Sequence, residues 1–136
     1  MAKSWTEKYY SGKAHQIKTT EKRFADIAEG EKMLIATPQI IDKYIRNIAK
    51  GSSANLMTMR KDLALDYQAD KTCPVTTSIY LKIVIEKAYE EYQNGKGLEE
   101  ITPFWRVINS ASPIAKKLSF SYDFVKNLRD EEGLPV

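Results

Sequence analysis

The side chains able to do chemistry are few and scattered. Cys73 is the sole cysteine and His15 the sole histidine. A lone thiol at a helix N-terminus can ionise below its usual range and react. Cys73 stands before Pro74 at the start of a long helical segment, where a small apolar thiol more simply serves packing. One cysteine allows neither an intrachain disulfide nor a thiolate zinc cluster, which points to a reducing, cytoplasmic setting. His15 has no cysteine or second histidine at ligand spacing, so neither a metal nor a cofactor is expected. Arg60 and Lys61, followed by Thr72, Thr76, Thr77, Ser78 and Lys82, could set cations and hydroxyls against DNA from the exposed end of a helix. The competing reading is helix capping by Thr72 with the others solvated. Lys116, Lys117 and Lys126 could add phosphate contacts or simply be solvated. In the run Ile101 to Ile108, Phe104 and Trp105 flank Arg106 on one side, and neither ring can supply a nucleophile or move a proton near neutral pH.

The elements that must position these residues are legible in part. A chain of 136 residues suits one small domain with its own core. The net charge of +3, with both signs interleaved, permits a nucleic-acid partner without demanding one. No apolar run approaches the roughly 20 residues of a membrane span, and the start of the chain lacks the apolar centre of a secretory signal. Residues 1–30 read as an extension wrapped on a domain of residues 31–136. Met33 to Ala36 is a short apolar run that suits a strand or a tight connection. Thr37 as cap, Pro38 at the first helical position and Ile40, Ile41, Tyr44, Ile45 and Ile48 on one face predict a helix that ends near Gly51. A second helix is expected from a Thr58 cap to about Ala69, then a tight turn, then a long helix from Val75 to Gln93 closed by Asn94-Gly95. The β-branched stretch Ile79 to Ile85 also fits a strand on local propensity. The absence of a turn signal before Asn94 and the helix-forming tail at Glu86 to Glu91 favour helix. So apolar a helix should be central and buried, with Thr76, Thr77 and Ser78 in its exposed first turn. A strand at Phe104 to Ile108 and a turn at Ser110 to Pro113 complete an α+β, mostly helical order: a winged helix-turn-helix with a small β element.

That order, together with Pro103-Phe104-Trp105-Arg106-Val107 and the terminus Leu128 to Gly133, resembles the alkylguanine-DNA alkyltransferases. The likeness covers roughly Met33 to Gly133. In that family a thiolate takes an alkyl group from a flipped guanine while a neighbouring histidine draws off the thiol proton through water. Phe104 stands at the cysteine position and Trp105 at the histidine position; Glu132 matches the relay carboxylate. The resemblance therefore implies a non-enzymatic scaffold, similar to alkyltransferase-like proteins that lack the acceptor thiol. Those keep the histidine that this chain has lost. The family's Arg-Ala-Val-Gly at the recognition helix has no counterpart in Pro74 to Ser78, and Asn109 to Ser121 holds no glycine for the family's wing.

Two readings of function follow. In one, the chain is a non-catalytic, alkyltransferase-like DNA-binding protein associated with DNA repair. Phe104 and Trp105 then wall a pocket that stacks on a base, at about 1–3 kcal/mol per base, and Arg106 and Glu132 brace it. In the other, a winged-helix module has turned to protein or small-molecule binding, and both rings are core while Arg106 pairs with Glu132.

Overall fold

The computed structural model describes residues 4–135. Five α-helices and a small three-stranded sheet make an α+β, mostly helical fold. In chain order the elements are α1 (Trp5–Tyr10), β1 (Gln16–Thr19), β2 (Lys32–Ile35), α2 (Pro38–Arg46), α3 (Leu56–Asp66), β3 (Lys71–Thr72), α4 (Pro74–Gln93) and α5 (Asp123–Glu131). The sheet order is β1-β2-β3. β1 runs antiparallel to β2, with Ile17 opposite Leu34, and β3 runs parallel to β2, with Thr72 opposite Leu34. Among the described residues no helix is long and apolar enough to cross a membrane.

The α2 signals act as the sequence predicts. Thr37 Oγ1 accepts from the Ile40 amide at 3.2 Å, Pro38 occupies the first turn, and Ile41 and Ile45 are buried. The helix ends at Arg46, short of Gly51, whose φ of 84° suits glycine in the loop beyond. Asn55, not Thr58, caps α3: its side-chain oxygen accepts from the Thr58 amide at 2.8 Å. The connection to α4 is no tight turn, because Lys71–Thr72 is a strand on β2. Thr72 therefore caps nothing, and its hydroxyl donates to the Arg60 carbonyl at 2.7 Å. α4 is helical through the β-branched stretch. Its middle is central as expected, with Leu81, Val84, Ile85, Glu86, Lys87 and Ala88 buried, as is Thr77 in the first turn, while Val75 and Ile79 are more than half exposed. Residues 4–30 carry more structure than expected: α1 packs on α4, Tyr9 enters the core, and β1 lengthens the sheet.

The expected strand at Phe104 to Ile108 is a 3-10 turn over Phe104–Arg106. After β3 no strand occurs among the described residues, so nothing there forms a β wing. The reason lies in how the backbone groups are satisfied. The amides of Phe104, Arg106 and Val107 bond locally, to the carbonyls of Thr102, Pro103 and Phe104. The carbonyls of Trp105 and Ile108 accept from one buried guanidinium, Arg129 Nη1, at 2.7 and 2.9 Å. A side chain of α5 thus takes the place of a neighbouring strand. Propensity alone could not reveal that substitution.

Asp42 ties the parts around the core. Its Oδ2 accepts from the Tyr9 hydroxyl at 2.7 Å, and its Oδ1 from Thr102 Oγ1 at 2.6 Å and Arg46 Nε at 2.8 Å. Burial, with the Asp42 carboxylate adding to it, pushes the Tyr9 phenol above its ordinary value. Helix α1, helix α2 and the segment before the 3-10 turn are joined on one carboxylate. Asp42→Ala leaves two buried hydroxyls without their acceptor, so it is expected to lower the unfolding free energy by about 2–4 kcal/mol. Urea denaturation at neutral pH measures this, and a loss below about 1 kcal/mol would show that the three bonds add little.

Candidate functional site

Phe104 does not wall an open pocket, and Trp105 reaches one only at its edge. Phe104 is fully buried and packs against Phe124 (ring centroids 6.0 Å apart, interplanar angle 17°) and edge-to-face on Phe120 at 5.9 Å. Trp105 is 4 % exposed, which leaves its face unavailable for stacking on a base. Its indole Nε1 donates to Glu132 Oε2 at 2.7 Å. Arg106 grips the same carboxylate with Nε at 2.9 Å from Oε1 and Nη2 at 3.0 Å from Oε2, and sends Nη1 to the Ile48 carbonyl at 2.8 Å. The Gly51 amide adds a bond to Glu132 Oε1 at 2.9 Å. α5 delivers Glu132 by ending in a glycine cap: Gly133 has φ 74°, its amide returns to the Asp130 carbonyl, and the Leu134 amide returns to Arg129. The residues assigned to a pocket thus meet, but as a lock between the α2–α3 loop, the 3-10 turn and α5. Trp105, Arg106 and Glu132 line a depression of about 390 Å³ together with charges of both signs, among them Arg46, Lys50 and Glu131.

The proposed DNA-facing set is dispersed. Arg60 is 7 % exposed. Its Nε and Nη2 donate to the Thr72 carbonyl at 2.9 and 2.8 Å, and Nη1 and Nη2 hold Asp26 at 3.1 and 2.7 Å. That guanidinium keeps the Asp26 carboxyl below its usual range. Thr72 and Thr77 are buried, and the Thr77 hydroxyl donates to the Cys73 carbonyl at 2.6 Å. The Thr76 hydroxyl is buried too. Ser78, although exposed, bonds back to the Pro74 carbonyl. Lys61 is exposed on α3, and Lys82 lies half-buried on α4. Arg60 and the threonines are therefore structural, because β3 draws the start of α4 against the sheet. Cys73 is buried at the same junction, and His15 packs edge-on against Tyr67.

The larger opening lies elsewhere. A groove of about 600 Å³ runs between α1, the start of α3, the outer face of α4 and residues 107–117. Leu56, Leu81, Ile83, Val107, Ile108 and Ile114 give it an aliphatic lining. Trp5, Lys8, Lys82 and Lys117 stand along it, and no Asp or Glu lines it. Asn55, Ser78, Asn109 and Ser112 supply polar groups. The volume falls in the range of small-molecule sites. Of the residues singled out in the sequence, Ser78, Lys82 and Lys117 belong to it. The legible signal was the surplus apolar character of α4. One face makes core, and the second face, through Ile79 and Ile83, makes the groove.

No family model, curated protein or solved structure matches this chain. No match supports the resemblance to the alkyltransferases.

The Glu132 lock has a measurable signature. Burial alone would raise the carboxyl, but the bonds from Arg106, Gly51 and Trp105 outweigh it and bring the pKa down to about 2. The unfolded value is roughly 4.3. The stabilisation is complete above that value and disappears as pH falls from there toward 2, amounting to on the order of 2–3 kcal/mol. Glu132→Gln is expected to be less stable at neutral pH by a comparable amount and to lose this part of the acid dependence. Urea melts of both proteins across that pH window check it, and parallel profiles would refute it.

Proposed function

We propose that this chain is a non-catalytic, alkyltransferase-like nucleic-acid-binding protein, in which the lysine-rimmed groove, rather than the Phe104-Trp105 segment, receives an unpaired base. The observation that carries this reading is the groove's composition: an aliphatic floor, cations along it and no carboxylate. A base brings an apolar face for the floor, and its backbone brings phosphates for Lys8, Lys82 and Lys117. Phe104, at the acceptor position of the resembled family, is sealed and has no nucleophile to offer. The edge of α4 that carries exposed Ser78 and half-buried Lys82 borders the groove, so the element expected to approach DNA and the opening lie side by side.

A second reading draws on Val75 and Ile79, each more than half exposed beside the groove. Apolar side chains there suit a protein or small-molecule partner better than a phosphate backbone.

A labelled single strand and its duplex, titrated at increasing salt, separate the two. With the groove lysines engaged, log affinity for the single strand should fall with log salt at a slope of about −2. Lys82→Ala combined with Lys117→Ala should weaken binding at least about tenfold and reduce the slope by roughly 1.4, while the circular dichroism spectrum stays that of the parent. No binding at low salt, or a double variant that binds like the parent, overturns the nucleic-acid reading.

A further inference from the structure

Trp5 stands on the one wall of the groove that the alkyltransferase likeness does not reach, since that likeness begins at Met33. Helix α1 is fixed there by contacts away from its indole. Ser4 and Glu7 form a reciprocal capping box, Thr6 Oγ1 donates to Glu90 Oε1 at 2.7 Å, and Gln39 Nε2 donates to the Tyr9 carbonyl at 2.7 Å. Tyr9, at the far end, holds Asp42. These bonds orient α1 along α4 and leave Trp5 lining the opening.

Two ammonium groups share that indole. Lys8 Nζ lies 4.2 Å from the ring centroid and Lys82 Nζ 5.7 Å. Among the described residues none of the ion pairs includes Lys8, Lys82 or Lys117. Like charges on one ring repel, and the ring's quadrupole offsets only part of that repulsion. An anion placed between them would relieve it. Beside them lies the aliphatic floor, in a space large enough for a fused ring with a charged substituent.

We propose that α1 belongs to the binding site, and that the groove takes a planar aromatic group bearing an anionic substituent. The ring packs between Trp5 and the aliphatic floor, and the anion sits by Lys8 and Lys82. This rests on the reading of the groove as a binding site and specifies the chemistry of its occupant. A nucleotide of a single strand and a free aromatic anion share that chemistry, and competition tells them apart.

The probe is 8-anilinonaphthalene-1-sulfonate, titrated into the intact protein under native conditions. Saturable one-to-one binding is expected, weakened about tenfold by Trp5→Leu and by Lys8→Met combined with Lys82→Met, with unchanged circular dichroism. The lysine variant carries the same test should Trp5→Leu fail to fold. Absence of saturable binding, or variants that bind the probe as the parent does, overturns the inference. An oligothymidylate is then added as competitor. Displacement of a Trp5-dependent probe supports both the inference and the nucleic-acid reading. Trp5-dependent probe binding that the oligonucleotide leaves untouched supports the inference and overturns the nucleic-acid reading.

Discussion

One carboxylate, that of Glu132, accepts from the Trp105 indole, the Arg106 guanidinium and the Gly51 amide, so stretches of chain far apart in sequence meet on its two oxygens. A nearly buried charge is tolerable only when its lone pairs are filled, and here donors reach both oxygens. The arrangement fixes the 3-10 turn at Phe104–Arg106 against α5 and the α2–α3 loop. With that turn fixed, Phe104 is pressed into the aromatic cluster with Phe120 and Phe124, while Val107 and Ile108 emerge on its other side as part of the groove lining.

Helix α4 is the other determinant. An amphipathic helix normally turns its polar side outward, yet α4 has two apolar faces. Leu81, Val84, Ile85 and Ala88 belong to the core, whereas Ile79 and Val75 are left in contact with water. Burying a side chain of that size is worth about 1.5–3 kcal/mol, so leaving two of them exposed forgoes stability that a polar face would not have put at stake. Of the two, Ile79 lines the groove and Val75 does not.

The elements were legible where local signals decide them. Thr37-Pro38 marks the start of α2, and Asn94 marks the end of α4, its amide bonding to Glu90 and Glu91. Helix prevailed over strand in α4 because its i to i−4 ladder runs unbroken, whatever the β-branched residues prefer singly. The segment Phe104 to Ile108 misled because a guanidinium 24 positions away from Trp105 satisfies its carbonyls. Arg60 and Thr77 misled because β3 turns them inward, and a two-residue strand carries almost no pattern of its own. The pairing of Arg106 with Glu132 was foreseeable as chemistry, one cation and one carboxylate. The groove was not, since its walls come from four separate segments.

The Gly51 and Glu132 partners lie 81 positions apart, and Arg129 of the same helix holds the carbonyls of Trp105 and Ile108. During synthesis the earlier halves of these contacts emerge from the ribosome well before α5 exists. Until it arrives, the 104–108 backbone must be satisfied by water, and the aliphatic side chains beside it have nothing to press them into place. Helices α2 and α3 can form on local signals alone, but the 104–108 segment gains its Arg129 and Glu132 partners only when α5 docks. Contacts of such long sequence separation slow folding, which makes this docking the natural candidate for the final step.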